Sequence, residues 1–370
     1  MFNSKKVDLV LEVYRGGIFL HVDLKKEPEV FYKNLPSNIA KDTSFKNVLK
    51  DAVLSLLDQF SKKHSVKVAK IFVFVHGDLY KVKSKEIFIK HDNGIKINDS
   101  LLKSVVKKEF DKEAFKNYTL EDYSISSKVA YNISPGFFNI PHQSRVAKDI
   151  SLSLLQLQIK KDAKDAILEA TSQYLQSDEH LHFLPASAIF LSFLPNVLDM
   201  RAVLLFDLSV ETSRVFFTYN KHILSSFTFK NNYNSLIGKI NQKLDYGFEL
   251  SVSELELYLE GKCKSETCDI IKRELEVFKK ELTREFEQIN YKNMLVSSVF
   301  VLSNSVIPDV FAVWMKDFLA ELFHSNAYFA NNYASFKSKD NILGGSLSSL
   351  LLQNKDKLYL DDNIVIISQS

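Results

Sequence analysis

The run Ala202–Phe229, AVLLFDLSVETSRVFFTYNKHILSSFTF, limits what this chain can fold into more than any other stretch. Val203–Phe206 is a short continuous apolar segment, the pattern of an interior strand covered on both faces. Asp207 ends it and opens a polar turn. Arg214–Tyr219 and Ile223–Phe229 follow as strands, joined by a turn at Asn220–Lys221. A carboxylate at the end of such a strand can hold a hydrated metal ion, and Ser209, Thr212 and Ser213 in the turn can donate to an anion. The alternative for Asp207 is a strand-end carboxylate that satisfies the N–H groups of its own turn.

Upstream, Val7–Val13 and Ile18–Leu24 read as two strands around the turn Tyr14–Gly17, and Gly16-Gly17 supplies positive φ for that hairpin or backbone room for a phosphate. Thr43 or Ser44 caps a helix to Lys63, whose Phe45, Val48, Leu49, Ala52, Val53, Leu56, Leu57 and Phe60 form one buried face. Lys70–Val75 is another interior strand. From Asp78 to Lys160 the pattern changes to short strands at Glu86–Lys90 and Gly94–Ile97, a helix at Leu101–Phe110, and strands at Tyr123–Ile133 and Ile150–Ile159. A helix over Asp162–Leu175, a strand at His182–Leu184 and a helix opening at Pro185 lead into the central run. Beyond it come a helix at Tyr233–Leu244 and one opened by the S-x-x-E pair Ser251 and Glu254, with Gly261 as its C-cap. A long helix from Thr267 to Ile289 is too short in heptads for a coiled coil. A strand at Val299–Leu302, a helix from Pro308 to Phe323 and a last strand in DDNIVIISQS complete the pattern.

Composition excludes several function classes. At 370 residues and 46% hydrophobic, the chain has room for two or more domains of about 150 residues each. Its 48 basic and 45 acidic residues leave +3, which gives no field for a nucleic-acid partner. Cys263 and Cys268 suit a reducing compartment, and His180 and His182 lack the companions of a metal site. No window approaches about 20 uninterrupted apolar residues, and MFNSKKVDLV lacks a secretory core, so the expectation is a soluble cytoplasmic protein.

In order and wording these segments resemble the actin-like ATPases, most closely their FtsA/PilM type. That group writes the second phosphate loop roughly D-I-G-A-E-T-T-D, which stands here as Asp207-Leu208-Ser209-Val210-Glu211-Thr212-Ser213-Arg214. Its first loop, usually D-x-G, falls on Glu12-Val13-Tyr14-Arg15-Gly16-Gly17, and its E-P-x-A-S/A-A segment on Pro185-Ala186-Ser187-Ala188. Its adenosine loop, roughly L-T-G-G-G, falls on Leu302-Ser303-Asn304-Ser305, and Gly344-Gly345-Ser346 resembles its last helix start.

The resemblance implies an α/β, ribonuclease-H-like, two-lobed actin-like fold with an inserted small α+β subdomain. Lobe I takes residues 1–77, 161–201 and 343–370, the insertion 78–160 and lobe II 202–342. It places Arg15, Gly16, Gly17, Asp207, Ser209, Thr212, Ser213, Lys262, Ser303 and Asn304 at a nucleotide, with Asp207 toward Mg²⁺ through water. Tyr14 and the missing loop glycines put side chains where that ligand needs space. The expectation is therefore a pseudo-ATPase without a cofactor, ATP with Mg²⁺ being the alternative. The implied role is a scaffold that binds the cytoplasmic tail of a single-span inner-membrane protein, as PilM does in type IV pilus assembly, at the membrane's inner face through that partner. The alternative is an FtsA-like, nucleotide-binding division protein that forms filaments. Self-association belongs to the expectation; nucleic-acid binding and direct membrane insertion do not. A small-molecule kinase of the same superfamily is disfavoured, since it needs an intact first loop and a catalytic aspartate.

Overall fold

The structure, a computed structural model, describes residues 6–23, 28–35, 43–96, 98–112, 121–135, 146–193, 202–210, 212–220, 222–263, 265–289, 296–303, 307–329, 348, 351–352, 354–361 and 364–367. The chain divides into two compact units, Met1–Pro195 with Ala334–Ser370, and Asn196–Tyr333.

The first unit holds two sheets. One has the order β3-β2-β1-β4-β8, from β1 (Lys6–Tyr14), β2 (Gly17–Asp23), β3 (Pro28–Asn34), β4 (Lys67–Val75) and β8 (Leu181–Leu184). β1 to β3 are antiparallel neighbours, while β4 and β8 run parallel to β1. α1 (Thr43–Lys63) packs on β2 and β3 and against α3 (Lys161–Thr171), and buries Leu49, Val53, Leu56, Leu57 and Phe60. β3 has no counterpart in the sequence reading. It is a half-polar edge strand opened by proline, a pattern that leaves no clean alternation.

The second sheet has the order β14-β15-β6-β7-β5, from β5 (Tyr80–Lys96), β6 (Tyr123–Pro135), β7 (Val146–Lys160), β14 (Leu358–Asp361) and β15 (Ile364–Ile367). The two short strands expected near residue 90 are the single strand β5, whose pairing with β7 shifts between Lys90 and Ile95. α2 (Asp99–Phe110), capped by the Asn98 side chain, lays Leu102, Val106 and Phe110 on Ile87, Ala130, Leu152, Leu154 and Ile364.

The second unit repeats the first topology. Its sheet runs β11-β10-β9-β12-β13, from β9 (Ala202–Leu208), β10 (Ser213–Tyr219), β11 (His222–Phe229), β12 (Ser298–Ser303) and β13 (Asn326–Phe329). Again three antiparallel neighbours are followed by two strands parallel to the first. Its helices are α5 (Tyr233–Leu244), α6 (Phe248–Leu259), α7 (Ser265–Gln288) and α8 (Asp309–Phe323); α4 (Ala186–Phe193) belongs to the first unit. Ile271, Leu275, Phe278, Leu282 and Phe286 of α7 lie in the core, so its stripe is buried surface and not a coiled-coil seam.

Two expectations are corrected here. Ser251 and Glu254 do not open a helix: α6 starts three residues earlier from extended Gly247, and the Ser251 hydroxyl donates to the Gly247 carbonyl from inside the first turn. The capping box lies instead on α5, where Asn232 and Ser235 satisfy each other's backbone N–H groups. Gly261 does take left-handed backbone, φ +73°, as a helix C-terminus requires. Cys263 and Cys268 are joined as a disulfide with Cα atoms 5.6 Å apart, within the normal range.

His182 of β8 is buried beside Phe72, and burial, with the nearby Lys70, pushes its imidazole down to about 4. This histidine is a core side chain, its ring 5.6 Å from that of Phe72. Its folded value lies below the unfolded one, so the unfolded state takes up the proton first and stability falls as pH drops from 6.5 toward 4. The loss is about 2 kcal/mol by pH 5. Replacing His182 with Phe is expected to remove close to one proton from the pH slope of unfolding. Urea titrations at several pH values check this, and an unchanged slope refutes it.

Candidate functional site

The first turn is built on β1 and β2, whose pairing runs from Leu9↔Val22 to Tyr14↔Gly17 and leaves Arg15 and Gly16 at the tip. Neither Gly16 nor Gly17 takes left-handed backbone, contrary to the positive φ expected there; the described glycines that do are Gly77 and Gly261. Gly17 is required for closeness instead: a Cβ there would stand 2.9 Å from the Tyr32 ring on β3. The Gly16 carbonyl accepts from Leu35 N–H at 3.0 Å, and Arg15 pairs with Asp78 at 3.6 Å.

Behind this turn sits a buried polar cluster. Tyr14 donates its phenol to Glu12 Oε2 at 3.0 Å, and its ring stacks on His76 with centroids 4.1 Å apart. His21 Nε2 lies 3.4 Å from Glu12 Oε1, and the Ser348 hydroxyl donates to the same oxygen. Burial pushes the Glu12 carboxyl up, but His21, His76, Ser348 and Tyr14 together outweigh it and hold it below the ordinary value. Burial pulls His21 down, against the pull of Glu12. Glu12 is thus a carboxylate at neutral pH, satisfied from inside the protein.

The second turn joins β9 to β10. Asp207, Ser209, Thr212 and Ser213 are all buried, as is Arg214. Register places Arg214 directly across the ladder from Asp207. Arg214 Nε also donates to Thr228 Oγ1 at 3.3 Å on β11. The turn is tied to α5 through Asn234 N–H, which donates to the Val210 carbonyl at 2.9 Å. Ser303, at the end of β12, is the register partner of Leu208, so the first residue of the expected adenosine loop lies in the same sheet beside this turn. Asn304 lies outside the described residues.

Lys262 stands in the connection from α6 to α7, where its exposed amine pairs with Glu260 at 2.7 Å. Asp207, Ser209, Thr212, Ser213 and Ser303 are therefore brought together in one unit. Arg15, Gly16 and Gly17 belong to the other.

A phosphate tail needs open backbone N–H groups and a carboxylate free for a hydrated metal. The first turn does not fit it, since Tyr14 is packed into the Glu12 cluster and Tyr32 closes over Gly17. The second supplies hydroxyls, but the register partner of its Asp207 is a buried arginine, Arg214. Sequence reading missed Arg214 as a determinant, although a base at the last, acidic position of the family's loop was the available signal. It missed the Glu12 cluster as well: His76 is legible only as the end of a strand, His21 lies inside one, and Ser348 is distant in sequence.

No protein-family model matches the sequence, and no curated protein matches it. Solved structures do. A PilM-PilN type IV pilus biogenesis complex matches with a TM-score of 0.56 at 13% identity, over 93% of this chain and 96% of that one. A Bacteroides thetaiotaomicron protein with an actin-like ATPase fold and unknown function matches at 10% identity over 95% and 99%, with a TM-score of 0.44. The MamK double helical filament matches at 8% identity over 94% and 99%, with a TM-score of 0.48. The likeness to the PilM-PilN structure, with a TM-score above 0.5 over nearly all of both chains, shows the fold: this chain has the actin-like α/β fold.

Proposed function

We propose that this chain is a non-catalytic actin-like scaffold that holds the cytoplasmic tail of a single-span membrane protein. It would thereby sit at the inner face of the membrane through its partner. The observation that carries the reading is the likeness, over nearly the whole of both chains, to a protein solved as the PilM-PilN complex. The loops add support, because a packed Tyr14 and a buried Arg214 oppose nucleotide chemistry. Among the described residues no helix is long and apolar enough to cross a membrane, so attachment through a partner suits the chain.

In this reading residues 78–160 are the inserted subdomain and carry the docking surface. Their edge strand β5 pairs with β7 and presents Phe88 at 67% exposure, and an extended peptide can add to such an edge. The test is calorimetric titration of the purified chain with synthetic tail peptides of single-span inner-membrane proteins from the same cell. One peptide is expected to bind, and Phe88→Asp to weaken it about tenfold or more. Failure of every tail to bind overturns the reading.

A second reading, an FtsA-like nucleotide-binding filament protein, is favoured by the buried hydroxyls of Thr212 and Ser213 beside Asp207. Thermal unfolding with millimolar Mg-ATP separates the two. Ligand at 100 times its dissociation constant adds about 2.7 kcal/mol, and the scaffold reading expects no shift. A clear shift that disappears in Asp207→Ala would establish the second reading.

A further inference from the structure

Twelve large apolar side chains are exposed among the described residues, and four of them, Tyr246, Phe248, Leu250 and Leu257, fall within one short segment of the second unit. Leu250 is 60% exposed and the other three 38–39%. The segment is the start and outer face of α6. Its inner face is settled by Ser251 and Leu255, both fully buried, with Val252, Tyr258 and Leu259 against the core. At 3.6 residues per turn, Leu250 and Leu257 line up one above the other on the opposite face, with Ser253 between them.

The charge of this segment is one-sided. From Asp245 to Gly261 there are five acids, Asp245, Glu249, Glu254, Glu256 and Glu260, and no Lys, Arg or His, in a chain whose net charge is +3. Glu249 and Glu256 flank the leucine line on one side and Glu254 on the other. Glu260 already pairs with Lys262. An apolar line between two acidic margins complements a helix with one apolar face and basic margins. The same charge opposes the other occupants. An anionic bilayer is repelled, and two copies meeting through this face would set acid against acid.

We propose that the outer face of α6 is a docking surface for a basic amphipathic helical segment of a partner protein. This is independent of the tail-binding reading, which concerns the first unit.

The test uses the full chain and a labelled 14-residue Leu/Lys peptide, LKKLLKLLKKLLKL, in fluorescence anisotropy at physiological salt. The expected result is binding that weakens at least about tenfold in the Leu250→Ser, Leu257→Ser double variant, whose charge is unchanged. A peptide of the same composition with its leucines spread around the helix is expected to bind about tenfold more weakly than the patterned one. Glu249→Gln with Glu256→Gln should flatten the salt dependence while leaving the apolar line intact. Glu249, Leu250 and Leu257 are exposed and Glu256 is half-buried, so unchanged thermal unfolding is the check that the variants fold. Equal binding by the double variant, or by the scrambled peptide, overturns the proposal. So does recruitment to phosphatidylglycerol vesicles, or a concentration-dependent dimer, that the double variant abolishes.

Discussion

Tyr14→Ala is expected to destabilise the first unit by about 3–5 kcal/mol, the range for emptying a buried aromatic site. The ring is 7% exposed, stacks on His76 and meets Phe19 edge-on at 6.0 Å, so the protein has packed this residue as core. Its phenol is also a donor to a buried carboxylate, and losing that donor leaves Glu12 short of a partner. Tyr14→Phe isolates the hydrogen bond and is expected to cost about 1.5–3 kcal/mol, since the acceptor is charged. Urea unfolding followed by far-ultraviolet circular dichroism checks both. A loss below about 1 kcal/mol for the alanine variant would show that the ring is not structural.

Phe286→Ala is expected to cost the second unit about 4 kcal/mol. Phe286 is fully buried and touches three other rings, Phe229 at 4.6 Å, Phe323 at 5.2 Å and Phe206 at 6.4 Å. Two of these rings come from the sheet, Phe206 on β9 and Phe229 on β11, and Phe323 from the end of α8, so the cavity left behind has stiff walls and closes poorly. Trp314, the chain's one tryptophan, sits on α8 against Phe311 at 5.4 Å and therefore reports on this unit. Its fluorescence transition should move to markedly lower denaturant, and an unmoved midpoint would mean that α7 does not anchor the core.

Much of this was legible in the residues. Interior strands such as Val203–Phe206 and Lys70–Val75 announce themselves because strands covered on both faces lose alternation and become continuous apolar runs. Long amphipathic helices did the same, and the order of the two together pointed to the actin-like fold. Edge strands were harder. β3 has an open side and a proline start, so little in its composition separates it from a loop. The S-x-x-E pair misled because a capping box needs extended backbone at the serine, and Gly247 offered the helix an earlier start.

The sequence by itself determined the interior strands and the long helices, their order along the chain, and which loop residues depart from the family's loop wording, because those depend on local periodicity and residue type. Only the tertiary structure decided what the departures mean. Arg214 becomes the counterpart of Asp207 through hairpin register, and Glu12 gathers Tyr14, His21, His76 and Ser348 because distant strands and the chain's last part close around it. A buried charge must find its partners wherever the fold brings them, and no local pattern records a contact between residues more than 300 positions apart.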